Sequence, residues 1–216
     1  MQDFMQDEAE EKDDSGMILV DLDQVGERPK TSYNPTEKKT LKFLKEMFDL
    51  LANVAITVVV LVVLREYVII NAYIPSSSME NTIMTKDRII GNRLAYLFSE
   101  PERGDIIIFK YPDDERQLFV KRIIGLPGET VTIEDAKVYI GEEEVCLEES
   151  YLKDEWIIGN DGYSFEIPEG SYLALGDNRN NSKDSRYWEN TYVTEEKILG
   201  KAVFRYWPFN RFGILE

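Results

Sequence analysis

One uncharged run, Leu50 to Leu64 (LLANVAITVVVLVVL), limits what this chain can fold into more than any other stretch. At 1.5 Å per residue it gives roughly 22 Å of helix, short of the ~30 Å hydrocarbon core of a bilayer. Extension through Met47-Phe48 and Tyr67-Val68-Ile69-Ile70 reaches a spanning length. Asp49, Arg65 and Glu66 then fall near the interfaces, where long side chains snorkel. Val and Ile dominate the run, so a buried strand pair is the competing reading; the membrane helix is preferred. The run lies far from Met1 and lacks a small-residue cleavage site after it, so it reads as a retained anchor rather than a removed signal peptide. Lys38, Lys39, Lys42 and Lys45 precede it, whereas Arg65 beyond it is matched by Glu66. The positive-inside rule places the N-terminal side in the cytoplasm and the following residues outside, in a single-pass cell-membrane protein.

Three regions follow: residues 1–46 as an acidic cytoplasmic tail, largely disordered, 47–72 as the anchor, and 73–216 as an extracytoplasmic β-rich domain. Asp3, Asp7, Glu8, Glu10, Glu11, Asp13 and Asp14 crowd the start, as in a solvated segment without a core. That tail serves solubility or holds a regulatory partner; its sequence does not choose. The net charge of -16 argues against a nucleic-acid partner, which calls for a basic face. Cys146 is the only cysteine, so no intramolecular disulfide forms. Without a histidine to pair with, and set among Glu142, Glu143, Glu144, Glu148 and Glu149, it reads as a structural or incidental thiol.

Beyond the anchor, short β-branched and aromatic runs alternate with turn signals. Strands are expected at 89–90, 105–109, 118–124, 130–133, 137–140, 172–175 and 198–206. Asn92 to Ser99 could form a short helix. No long amphipathic helices separate the runs, which points to a mainly β, antiparallel domain rather than a parallel βαβ sheet. Gly141 to Gly170, acidic and rich in turns, reads as a peripheral excursion. Tyr206-Trp207-Pro208-Phe209 with Phe212 either dips into a membrane interface or packs in the core.

Three segments exceed what a plain β domain needs. Pro75-Ser76-Ser77-Ser78-Met79 favours an irregular backbone that exposes hydroxyls and N–H groups. Lys121 stands in an apolar strand, with alternation placing Val120 and Arg122 on the opposite face. Gly176 to Arg186 (GDNRNNSKDSR) is a polar loop directly after a buried-looking strand. The chain contains no histidine, so a Ser-His-Asp arrangement is impossible. A desolvated lysine is the known substitute base for a serine nucleophile. Each segment alone also has an ordinary structural explanation; their order behind an anchor is what makes them specific.

Together these blocks resemble the bacterial type I signal peptidases, membrane-anchored Ser-Lys proteases. Pro75 to Thr82 is similar to the family's nucleophile block, Arg103-Gly104-Asp105 to its strand entry, Lys121 to Glu129 to its general-base block, and Gly176 to Arg186 to its last block. The departures are Ser77 for glycine, Asn81 for proline, Glu129 for aspartate and Asn180 for aspartate. The resemblance implies a coiled antiparallel β-sheet protease domain behind one N-terminal transmembrane helix, and no cofactor or metal. It implies that Ser78 is the nucleophile and Lys121 the general base, with the oxyanion held by the Ser78 N–H and the Ser76 hydroxyl. Ser182 maps to a serine that hydrogen-bonds the lysine. Asp184 and Arg186 map to a supporting ion pair, and Gly176, Asp177 and Arg179 to loop-shaping positions. Substrates would be secretory preproteins with signal peptides, met at the lipid bilayer and cut after small side chains. Competing readings are a paralogue dedicated to one export substrate such as pilin, and a non-catalytic anchored β domain. A LexA-like repressor fits poorly with the apolar span and acidic tail, and the eukaryotic-type branch carries histidine where this chain has Lys121.

Overall fold

The computed structural model describes residues 35–216; the acidic stretch 1–34 lies outside them. Helix α1 runs Pro35–Val63. Residues 36–46 are rich in Lys, Leu and Glu, all good helix formers, so the helix includes part of the segment expected to be tail. The apolar run is helical despite its β-branched content, and its side chains from Val54 to Val63 stand mostly exposed. A helix that satisfies its own backbone while offering apolar side chains outward is suited to lipid. The helical segment Lys38–Val68 is long and apolar enough to cross a membrane.

The anchor ends earlier than residue 72. A π-helical turn, Leu64–Val68, is followed by strand β1, Ile69–Tyr73. Ile69 and Ile70 pair with Asn92 and Gly91 of β2 (Arg88–Asn92), and Ile70 is buried in the core. β-Branched side chains with a partner strand in reach adopt the sheet. The short helix expected over 92–99 is absent. Asn92 Oδ1 accepts from Leu94 N and one turn closes between Leu97 and Leu94, an Asx-type turn rather than a helix.

The remaining strands are β3 (Ile106–Tyr111), β4 (Asp114–Gly125), β5 (Thr130–Glu134), β6 (Lys137–Ile140), β7 (Val145–Cys146), β8 (Tyr163–Glu166), β9 (Ser171–Leu175), β10 (Val193–Thr194), β11 (Ile198–Trp207) and β12 (Gly213–Ile214). The larger sheet has the order β1-β2-β11-β3-β4-β9-β10, with β12 beside β11; β7-β6-β5-β8 form the smaller one. Every pairing among the described strands is antiparallel.

The period of two explains how this sheet is filled. Along β3, Ile106 and Ile108 enter one cluster with Met79, Ile83 and Ile89, while Ile107 and Phe109 enter another with Trp188 and Tyr172. Both faces of β3 are covered, which is why it reads as an unbroken apolar run. A third cluster joins Leu173 and Leu175 of β9 to Val131, Ile133 and Trp156. Trp207, Phe209 and Phe212 are exposed, so packing in the core does not account for them.

Candidate active site

The serine block is fixed by its apolar neighbours. Met79 and Ile83 are buried, and Ile83 N donates to Met79 O at 2.7 Å, closing a compact turn. Ile74 N donates to Asp87 O and Lys86 N to Ile74 O, which tie the two ends of the loop together. Ser78 is thereby held at 8% exposure.

Lys121 comes from β4, opposite Ile107 of β3. It is 3% exposed. Its Nζ donates to Ser78 Oγ at 2.6 Å and to Val120 O at 3.2 Å, and lies 5.4 Å from the Phe119 ring centre. Burial lowers its pKa from the ordinary lysine value to about 8; Asp184 and then Asp177 oppose the shift, and Arg186 adds to it. A short contact to a hydroxyl and a pKa near neutrality are what a general base requires.

The Gly176–Arg186 loop locks the serine block from the other side. Asn178 N donates to Ser78 O at 3.0 Å, and Asn178 Nδ2 to Ser77 O at 3.0 Å. Asn181 Nδ2 donates to the Ser77 hydroxyl at 2.8 Å, a bond that glycine at 77 would not offer. Gly176 permits the approach: a Cβ there would lie 2.5 Å from Ser78 O and 2.2 Å from Ser182 Oγ. Asp184 is fully buried, accepts from Gly176 N at 3.0 Å, and takes Arg186 Nε and Nη2 at 2.8 Å each.

Ser182 differs from expectation. Its Oγ is buried without a hydrogen-bond partner and does not bond Lys121, whose amine is engaged by Ser78 Oγ and Val120 O. The Ser76 and Ser78 hydroxyls lie 3.4 Å apart, with Ser76 exposed. Asp177 and Arg179 both sit in ion pairs. Asp177 Oδ1 and Oδ2 accept from Arg122 Nε and Nη2 at 2.9 and 2.8 Å, while Arg179 pairs with Glu149. Arg122 also donates to Gly104 O, and Thr82 Oγ1 donates to Asp177 Oδ2 at 2.5 Å.

Three of these residues escaped the sequence reading. Asn178 sat inside a quoted block, yet nothing local reveals that it grips two carbonyls. Arg122 and Glu149 look like surface charges; only the apolar setting of Arg122 in β4 hinted otherwise. Cys146 lies exposed on β7 among the acids.

Ser78 and Lys121 line a cleft of about 540 Å³. One wall is β1 with Ile74 and Pro75, the other Leu118 to Val120 of β4, and Asn181 and Lys183 complete it. β1 is an edge strand of the sheet, so one side of its backbone has no partner strand among the described residues.

A hydroxyl held against a dry amine in an apolar cleft, in a chain with no histidine, is an arrangement suited to a serine peptidase. Residues 47–207 match the family model described as signal peptidase, peptidase S26, and the chain belongs to that family. It is similar to the probable signal peptidase I-2 of Synechocystis sp., 38% identical over 200 residues, which span 88% of this chain and 84% of that protein. It is also similar to signal peptidase I of Leptolyngbya laminosa, 40% identical over 174 residues, with 76% and 81% of the two chains covered. A solved signal peptidase I from Enterococcus faecalis V583 is 35% identical and has a TM-score of 0.39, covering 48% of this chain and 97% of that one.

Proposed function

We propose that this protein is a membrane-anchored serine endopeptidase that removes N-terminal signal peptides from secretory preproteins, with Ser78 as nucleophile and Lys121 as general base. The observation that carries this reading is the 2.6 Å contact between Ser78 Oγ and an amine with 3% exposure.

The neutral amine takes the hydroxyl proton along that contact as Ser78 Oγ attacks the scissile carbonyl. The tetrahedral oxyanion is met by the Ser78 N–H and the Ser76 hydroxyl. Lys121 then returns its proton to the leaving amine, the C–N bond breaks, and an acyl-enzyme remains. A water, deprotonated by the same amine, releases the signal peptide. Asp184, Arg186, Asp177 and Gly176 support this chemistry by holding the loop against the serine block. Ser182, within the same loop, keeps its hydroxyl buried and without a hydrogen-bond partner.

The substrate lies extended in the cleft and adds to the free edge of β1, with main-chain hydrogen bonds giving affinity and the apolar walls selecting small side chains. Lys38, Lys39, Lys42 and Lys45 before the apolar run support a cytoplasmic N-terminal side and an extracytoplasmic β domain. The exposed Trp207, Phe209 and Phe212 support a contact with the bilayer.

The test is preprotein cleavage by the full chain in lipid vesicles. Ser78→Ala and Lys121→Ala should each lose about a thousandfold or more in turnover while keeping wild-type circular dichroism. Wild-type turnover by Ser78→Ala would refute the assignment.

A further inference from the structure

The stretch from Glu149 to Gly159 has little regular structure and was expected to be peripheral, yet it is bonded to both halves of the site. On one side it meets the turn that carries Ser78. Asn81 Nδ2 donates to Tyr151 O at 3.1 Å and to Leu152 O at 3.4 Å, and Lys153 Nζ donates to Glu80 Oε2 at 2.9 Å. On the other side it meets the Gly176–Arg186 loop. Asn180 Oδ1 accepts from Ile157 N at 2.8 Å and Ile158 N at 3.0 Å, while Asn180 Nδ2 donates to Glu155 O at 2.7 Å. The same strap is pinned at its centre by Trp156, 3% exposed, beneath the Arg179 guanidinium at 4.6 Å.

Both asparagines stand where the family pattern reads differently, proline at 81 and aspartate at 180. Asn81 holds φ at +93°, a value closed to proline and tolerated by asparagine. Its amide needs to donate, because both of its partners are carbonyls. Asn180 needs chiefly to accept, because two of its three partners are N–H groups. The two departures are therefore complementary to one segment, contacted from opposite ends.

We propose that the strap from Glu149 to Ile158 positions the nucleophile, and that Asn81 and Asn180 are positioning residues through which it holds the Ser78 turn in register with the Gly176–Arg186 loop. This rests on Ser78 being the nucleophile. The strap acts on the placement of Ser78 Oγ and not on the Lys121 amine, so it governs kcat and leaves substrate affinity and the titration of the base alone.

The experiment measures kcat, KM and the pH midpoint of kcat for preprotein cleavage by the full chain in vesicles, with Ser78→Ala as reference. Asn81→Gly keeps the positive φ and removes the amide; Asn81→Asp keeps the shape and turns the donor into a carboxylate oxygen facing the same two carbonyls. Both should lower kcat about tenfold, within the ~10²-fold that a 1 Å misplacement can cost, with KM inside twofold. Asn180→Ala should do the same, whereas Asn180→Asp, which still accepts both N–H bonds, should stay within about threefold of wild type. The Asn81→Gly/Asn180→Ala double variant should lose little more than the worse single variant, since both act through one strap. Wild-type kcat in Asn81→Asp and Asn180→Ala, beside an inactive Ser78→Ala, would overturn the proposal. So would a displaced pH midpoint, strict additivity, or a change confined to KM. An active Ser78→Ala would instead overturn the functional reading on which it stands.

Discussion

Lys121 and Arg122 are adjacent on β4, each 3% exposed, and the molecule treats them in opposite ways. The Arg122 guanidinium receives a bidentate carboxylate from Asp177, a main-chain carbonyl from Gly104, and the Tyr151 ring at 4.0 Å. The Lys121 amine receives a hydroxyl and one carbonyl, and no carboxylate within ion-pair distance among the described residues. A buried cation that is paired is structural; one left unpaired is pushed toward neutrality. Two residues one step apart on the backbone thus differ: Arg122 holds the site together, and Lys121 is the one to which the proposed function gives the chemistry. Arginine could not replace the lysine, since it stays protonated in proteins.

The contrast can be broken most strongly on the arginine side. Arg122→Met would leave Asp177 buried without its partner and should cost roughly 3–5 kcal/mol of stability in denaturant unfolding. If that variant unfolds like wild type, Asp177 has another source of compensation and the structural half of the comparison fails. The mirror experiment is Lys121→Met. It removes a cation that burial disfavours, so activity should vanish while stability at pH 7 rises by on the order of 1–3 kcal/mol. A destabilised Lys121→Met would mean that the amine is better compensated than its contacts indicate.

pH sharpens the comparison further. The folded pKa of Lys121, about 8, lies below that of an unfolded lysine. The unfolded state therefore binds more protons between about 8 and 10.4, and this residue makes stability rise with pH across that window. Its contribution is complete above the window and lost as pH falls through it. The stability advantage of Lys121→Met should shrink by the same amount over the same range. Turnover by the wild type should climb about tenfold per pH unit below 8 and level off above it, because only the neutral amine can take the Ser78 proton. A flat profile from pH 6 to 9 would remove Lys121 as the base. The smallest effect is expected from Thr82→Val, which withdraws one hydroxyl donor from Asp177. It should cost about 1 kcal/mol in unfolding and leave the pH midpoint of turnover where it was.

Much of this was legible in the chain, for reasons that differ by element. Strands such as β3, β5 and β9 follow from short β-branched runs between turn residues, a local signal that tertiary contacts did not override. The end of the anchor was not legible, because Val68 to Ile70 suits a helix in lipid and a strand beside β2 equally well; pairing with Asn92 and Gly91 decided it. The Asn92–Ser99 segment failed as a helix because Asn92 offered its side chain to the backbone, a competition that propensity alone does not resolve. Ser182 was expected by resemblance to hydrogen-bond the lysine; its hydroxyl makes no such bond and lies close to Gly176.

What the sequence determined by itself was the available chemistry. Without histidine, and with Lys121 in an apolar strand, the set of possible bases was small before any fold was known. The apolar run likewise decided that a membrane-length helix would precede the β domain. Only the tertiary structure decided which buried cation would find a carboxylate. Strand alternation is a property of neighbouring residues, but Arg122 meets Asp177 across 55 positions, and that pairing exists only once β4 and the end of β9 lie side by side. The apolar setting of Lys121 was legible in the chain; that its amine finds no carboxylate while its neighbour does is a consequence of folding.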